Sequence, residues 1–486
     1  MAASAVNKRV ETSDVQGLVL QGYGKLRAAA YVVLEITDGK AAREWLRGVL
    51  PEISFGEERP ATGALNLALT AAGLAGLGLP SDVARGFSLE FLEGMSSAHR
   101  SRLLGDEGPA APANWTWGGQ DGAEVHALLL VFAPDEDALA ESLTRLRSGL
   151  ADGGLREVAC LTTTDIGRGE HFGFRDGLSQ PSVSGVGSQG PPMHTVAPGE
   201  FLLGYPNEHG QYSRSPLVPS GDDPDGLLPG RTRGTDASTA PVTPDLEDAH
   251  DFGRNGSYLV LRTLDQDVGG FWRFVDAATR TPDGAPDAAA RTALAARMVG
   301  RWPSGAPLTR TPETDRPELA EDNDFGYQAT DAHGLGCPIG AHVRRTNPRD
   351  SLPPKPGTPA SIDVGKRHRL LRRGRAYGPP VSPEAALEES PDEPGRRGLH
   401  FIALCADIAR QFEFISHTWV MNPSFAGLLD DADPLLGGHS VRGTSFTIQG
   451  APVRRRITDV PAFVTVRGGA YFFLPGARAL GYLAQR

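Results

Sequence analysis

Hydrophobic and polar positions follow two rhythms along this chain. Tyr31-Val-Val-Leu-Glu-Ile36 is a β-rich run and predicts a strand, while Ala41 to Leu50, with Trp45 and Leu46 at helical spacing, predicts a helix directly after it. The pair returns at His126 to Phe132, an apolar run of strand length, and at Asp135 to Leu150, where Leu139, Leu143, Leu146 and Leu150 fall at helical intervals. In the second half Ser257 to Thr263 reads as a strand, and Val268 to Ala278 as a helix carrying Phe271, Trp272 and Phe274. Leu399 to Leu404 and the amphipathic stretch Ile408 to Val420 make a fourth pair, and Tyr471-Phe-Phe-Leu474 is a last strand. Two strand–helix units in each half, separated by insertions, meet the requirement of an α+β fold of two ferredoxin-like domains with antiparallel sheets. The most apolar stretch, Ala64 to Leu79, is interrupted by Asn66, Thr70 and three glycines before Pro80; it is too short and broken to span a bilayer and reads as a buried helix.

Between the halves, Tyr205 to Asp248 is poor in apolar residues and rich in Pro, Gly, Ser and Asp, and reads as a long exposed connection. The domain boundary is expected inside it, giving domains at 1–235 and 236–486, and 486 residues suffice for two cores. A second such stretch, Pro379 to Gly398, interrupts the second half. The formal net charge of −11 opposes a nucleic-acid binder. Three scattered cysteines (Cys160, Cys337, Cys405) make neither a disulfide framework nor a zinc site, and Met1 to Gly17 shows no apolar signal core or twin-arginine pattern, so a cytoplasmic protein is expected. Nothing here sets the oligomeric state.

One segment departs from the overall charge. From His342 to Tyr377 ten Lys or Arg stand against Asp350 and Asp363, an excess that needs an anionic partner or a solvated face. Within it lie His342, flanked by Arg344 and Arg345, and Leu371-Arg372-Arg-Gly374. His342 reads either as a surface histidine or as a metal ligand, and nearby Cys337 is a rival, since a thiolate can also hold haem iron. Upstream, Gly173-Phe-Arg-Asp-Gly177 is either a turn whose Asp caps its own backbone, or a glycine-flanked loop that lets a flat ligand approach while presenting one carboxylate.

Taken in order, these stretches resemble the dye-decolorizing peroxidases along nearly the whole chain, in the manner of their longer, non-exported branch. The G-x-x-D-G hallmark is Gly173 to Gly177, the axial-histidine motif is similar to Gly340-Ala-His342-Val-Arg-Arg-Thr-Asn-Pro348, and the distal-arginine motif to Leu371-Arg372-Arg-Gly374. Asn255-Gly-Ser-Tyr-Leu-Val260 and Arg467-Gly-Gly-Ala-Tyr-Phe-Phe-Leu-Pro475 are similar too. The resemblance implies haem b held mainly by the second domain, with hydrogen peroxide as oxidant and a dye, phenol or related aromatic as reductant. It makes His342 the axial ligand, Asp176 the distal acid–base group, Arg372 the distal guanidinium and Arg344 the partner of a haem propionate. Leu399 and Phe401 would line the distal pocket, and Glu413 would accept the His342 ring N–H. Where relatives carry Asn or Ser two positions after the distal Arg, this chain has Gly374. Tyr377 and Trp419 are the candidates for carrying electrons from a surface-bound substrate.

The chemistry is consistent with that assignment. A carboxylate on the far N–H makes an imidazole a better iron ligand; peroxide cleavage needs a proton moved between its oxygens; and a fixed cation stabilises the charge that builds there. Two rivals differ in class. A haem-handling protein without turnover has no use for Asp176 and Arg372, and a ferredoxin-like nucleic-acid module would need an aromatic stacking array beside the basic segment.

Overall fold

The computed structural model describes residues 9–120, 122–231, 248–390, 396–437 and 444–486. β1 (Ala28–Ile36) leads into α1 (Gly39–Val49), which is followed by β2 (Ala64–Leu69), β3 (Ala127–Ala133), α2 (Glu136–Ser148) and β4 (Leu155–Thr162). The second half runs β5 (Ser257–Gln266), α3 (Val268–Thr279), α4 (Ala288–Val299), α5 (His342–Thr346), β6 (Leu371–Arg372), β7 (Arg375–Tyr377), β8 (Gly398–Cys405), β9 (Val464–Leu474) and α6 (Ala477–Gln485). The predicted strand–helix pairs are present, and an aspartate starts four of the helices. Asp38, Asp135, Asp267 and Asp287 accept backbone N–H bonds at the starts of α1, α2, α3 and α4, each cap contributing about 0.5–2 kcal/mol.

These nine strands join one antiparallel sheet, in the order β6-β8-β5-β9-β2-β3-β1-β4, with β7 also paired to β8, and three separate two-stranded ladders lie outside it among the described residues. Each half has the same internal order. In the first, β1 lies between β4 and β3 with β2 outside; in the second, β5 lies between β9 and β8 with β6 and β7 outside. That repeat is two ferredoxin-like sheets fused edge to edge through β9 and β2, where Phe473 faces Leu69. The expected domain boundary near 235 lies outside the described residues.

The sheet is buried on both faces. Along β1, Ala28, Ala30, Val32 and Leu34 pack into the core beneath α1, α2 and α6, and Ala29, Tyr31 and Val33 into a second core on the other side. A strand covered twice loses its polar alternation. This is why Ala64 to Leu79 misled: its first six residues are β2, buried at every position, and only Ala71–Gly76, capped by Thr70, is helical. The stretch from Tyr205 also corrects the expectation of an exposed connection, because Tyr205, Val218, Asp223 and Leu228 are buried. Ile408 to Val420 is helical as expected but wide-wound over Ala409–Glu413 and Ile415–Val420, with Glu413 N–H donating to Ile408 O.

Candidate active site

The loop after β4 is folded around a carboxylate. Glu170 accepts the backbone N–H of Phe172 at 2.9 Å and of Phe174 at 3.0 Å, and the Gln266 amide at 3.0 Å. Burial pushes its pKa up to about 7, against the lowering effect of those bonds. Phe172 and Phe174 are thereby buried against Phe271 and Trp272 of α3. Gly173 (φ +93°) and Gly177 (φ +79°) take left-handed conformations that other residues adopt only with strain. The effect is to leave Asp176 on the open side of the loop, its side chain 43% exposed. Leu178-Ser-Gln-Pro181 then ties the loop to β6: Gln180 both donates to Arg372 O and accepts Arg372 N–H, each at 3.1 Å.

That clasp sets Arg372 beside Asp176, with Nη1 donating to Oδ1 at 2.8 Å. Desolvation by the surrounding protein would alone raise the Asp176 pKa; the charge and hydrogen bond of Arg372, the Gly177 N–H and the charge of His342 outweigh it and hold the group below the usual Asp value. Sheet register places more of the wall. Arg372 is paired with Ala403, so it shares a face with Leu399 and Phe401, both half-buried.

His342 opens α5. Gly300, at the end of α4, lets α5 pack closely, since a Cβ there would meet Val343 at 2.3 Å. Arg345, fully buried, donates to the carbonyls of Gly340, Trp419, Asn422 and Asp431 and fixes the helix to the wide-wound segment. The His342 ring pairs through Nδ1 with Asp433 Oδ2 at 2.9 Å. Asp433 has no exposed surface, and its other oxygen accepts the N–H groups of Leu435 and Leu436 at 2.9 and 3.0 Å. Burial would lower the His342 pKa, but the Asp433 charge and hydrogen bond raise it above the usual value. Asp176 and Arg372 also act on the His342 charge, so the three groups lie within electrostatic reach of one another. Nε2 makes no hydrogen bond within the described residues and carries the lone pair of a potential metal ligand. Asp433→Asn is expected to weaken the hold on a metal at Nε2 by about 10–100-fold, as loss of an outer carboxylate partner does elsewhere; titration of the variant with haem checks it.

Four expectations need correction. Glu413 does not reach His342: its carboxylate binds Arg100 at 2.8 Å and Tyr471 at 2.9 Å, and Asp433 takes the place assigned to it. Arg344 is fully engaged elsewhere, donating to Asp331 Oδ2 at 3.1 Å and Cys337 O at 2.8 Å beneath the Tyr327 ring. Trp419 is 5% exposed, packed edge-on against the stacked rings of His368 and Phe414, and is no surface residue. Tyr377 is half-buried and stacks on His400 at 4.4 Å; strand alternation puts it on the face opposite Arg372, despite lying five residues away.

The structure supplies what Arg344 does not. Arg349 and Arg369 are buried, and burial with the charges of Arg349 and Arg372 holds Arg369 down to about 9. Arg369 meets no carboxylate among the described residues, and Arg349 Nε is buried without a hydrogen-bond partner. This cationic pair with an orphaned donor fits the anionic propionates of a haem, and the polarised imidazole fits its iron. Two further arginines of the basic segment are internal glue: Arg373 binds the carbonyls of Leu18 and Val19, and Arg375 those of Arg27 and Tyr23.

No protein-family model matches the chain. It is 28% identical to the dye-decolorizing peroxidase msp1 of Mycetinis scorodonius over 99% of this chain and 88% of that protein. Its fold matches a solved dye-decolorizing peroxidase engineered at the haem pocket for asymmetric sulfoxidation, with a TM-score of 0.78 and 25% identity over 98% of this chain and all of that one. A dye-decolorizing peroxidase in complex with 2,6-dimethoxyphenol matches with a TM-score of 0.76 and 26% identity over 98% of this chain and 100% of that chain. In sequence from end to end, and in fold over almost the same span, this chain is similar to the dye-decolorizing peroxidases, and it is a haem peroxidase.

Proposed function

We propose that this protein binds haem b, whose iron His342 Nε2 would hold, and uses hydrogen peroxide to oxidise phenols and dye-like aromatics. One observation carries the reading: a carboxylate–guanidinium pair, Asp176 and Arg372, lies within electrostatic reach of an imidazole already polarised by a buried carboxylate. Bound haem supplies the iron at which peroxide is reduced. Asp176, kept ionised by Arg372, takes a proton from the incoming peroxide and returns it to the departing oxygen. Arg372 holds the negative charge that gathers on that oxygen. Leu399 and Phe401 narrow the space and exclude water, and Arg349 and Arg369 receive the propionates. Among the described residues no helix is long and apolar enough to cross a membrane. Three cysteines without disulfides support a reducing, cytoplasmic setting.

The test is to add haem to the purified protein, record the absorption spectrum, and follow peroxide-dependent oxidation of 2,6-dimethoxyphenol and an anthraquinone dye. A histidine-ligated haem spectrum with turnover of both is expected. Stable haem binding without turnover of either would favour a haem-handling protein.

A further inference from the structure

Glu413 is buried and takes no part in the chemistry above, and one of the groups it holds is a phenol. Tyr471 donates to Glu413 Oε1 at 2.9 Å, and Arg100 donates to Oε2 at 2.8 Å. Arg100 is steadied in turn by Glu93 at 2.8 Å and Glu90 at 3.5 Å. Tyr471 and Glu413 are 2% and 3% exposed, so the pair is closed to solvent. Burial raises the Glu413 pKa above the usual value against the opposing effects of Tyr471 and Arg100, which makes the carboxylate a stronger base, and Arg100 leaves one oxygen to the phenol.

The sheet joins this pair to the pocket. Arg372 pairs with Ala403, Ala403 with Val260, and Val260 with Tyr471. Residues paired in this way project to one face, so Tyr471 stands in the same row as Arg372, three strand spacings or about 14 Å away along the backbone. Aromatic rings fill the row: Phe401 and Phe412 have centroids 6.2 Å apart, as do Phe412 and Tyr471. Phenylalanine is hard to oxidise and serves only to shorten the gap. Tyrosine is oxidised readily when a base takes its proton, and a buried, hydrogen-bonded carboxylate is such a base.

We propose that Tyr471 is an internal electron donor to the peroxide-oxidised enzyme, with Glu413 as its proton acceptor. The proposal rests on the peroxidase reading of the Asp176–Arg372 pocket. One electron leaves the phenol ring toward the pocket past Phe412 and Phe401. The phenolic O–H bond breaks and the proton passes to Glu413 Oε1, leaving a neutral phenoxyl radical beside a neutral carboxyl group. An electron from the external reductant, with the proton returned from Glu413, restores both. Every Trp and Tyr of the chain is buried or half-buried. Tyr471 thus holds an oxidising equivalent inside the protein, away from the pocket, until a reductant arrives.

Electron paramagnetic resonance tests this on haem-loaded enzyme frozen after mixing with hydrogen peroxide and no reductant. Wild type should lose its resting haem signal and gain a radical signal that narrows when the protein carries ring-deuterated tyrosine. In Tyr471→Phe, which keeps the ring in the core, the resting signal should still respond and the tyrosyl signal should be lost. Glu413→Gln keeps a hydrogen-bonding partner that cannot take the proton, and should lose it as well. A tyrosyl signal that survives Tyr471→Phe and disappears in Tyr377→Phe would overturn the assignment while leaving the pocket reading intact. An unchanged signal in Glu413→Gln would overturn the proton acceptor. A resting haem signal indifferent to peroxide in wild type would overturn the pocket reading and the internal donor with it.

Discussion

His342→Ala should abolish stable haem retention, whereas Cys337→Ser should leave the haem absorption spectrum unchanged. In the reading proposed above the imidazole is the one nitrogen ligand that α5 would offer, and its far side is already committed to Asp433 at 2.9 Å, which raises its basicity. Cys337, only five residues earlier, is built differently. Its sulfur is enclosed, with Gly300 O at 3.8 Å, and burial pushes the thiol up to about 12 despite the lowering effect of Arg344 and other cations. A metal-binding cysteine must present a thiolate, which needs an electropositive, partly open setting. Spectra of the two purified variants with added haem check both halves of the prediction. Loss of the signal in the cysteine variant and its retention in the histidine variant would make the thiolate the ligand.

Much of this architecture was legible because the strands and helices are marked locally. The four strand–helix pairs carry their own periodicity, and Asp38, Asp135 and Asp267 mark their helix starts. β2 was hidden because a strand buried on both faces has no alternation to read. β6 and β7 are two and three residues long, set by pairing with β8 rather than by composition. Of the site, Asp176, Arg372 and His342 stood out through glycines and flanking arginines. Their partners did not. Asp433 lies 91 residues beyond His342, in a segment whose sequence gives no hint of a contact, and only the fold brings the two together. Arg344 and Arg349 look alike in sequence; the structure separates them, because Asp331 neutralises the first while the second keeps an unpartnered Nε.

The distal pair carries the second large effect. Asp176 must be ionised to accept a proton, and its pKa is held below the usual Asp value despite desolvation by the surrounding protein, chiefly by Arg372. The working form is therefore present above that lowered pKa and is lost only as the pH falls through it, so the peroxide step should persist through mildly acidic solution. Arg372→Leu removes the charge and the 2.8 Å hydrogen bond together. Desolvation then acts against a weaker opposition, the Asp176 pKa rises, and the acid limb of the pH profile should move to higher pH. The same variant should also be slower at its optimum, because the oxygen leaving peroxide has lost its fixed cation. A slower reaction with an unmoved acid limb would separate Arg372 from the ionisation of Asp176.

Rapid mixing of haem-loaded wild type and Asp176→Asn with hydrogen peroxide, followed by the change in haem absorbance, tests the central claim most directly. The amide keeps the shape of the carboxylate but cannot take a proton, so the peroxide step should slow by roughly two to four orders of magnitude, the scale of general acid–base catalysis. Haem binding should be retained, because His342, Asp433, Arg349 and Arg369 are untouched. An equal rate in the two proteins would contradict the account and remove Asp176 from the chemistry.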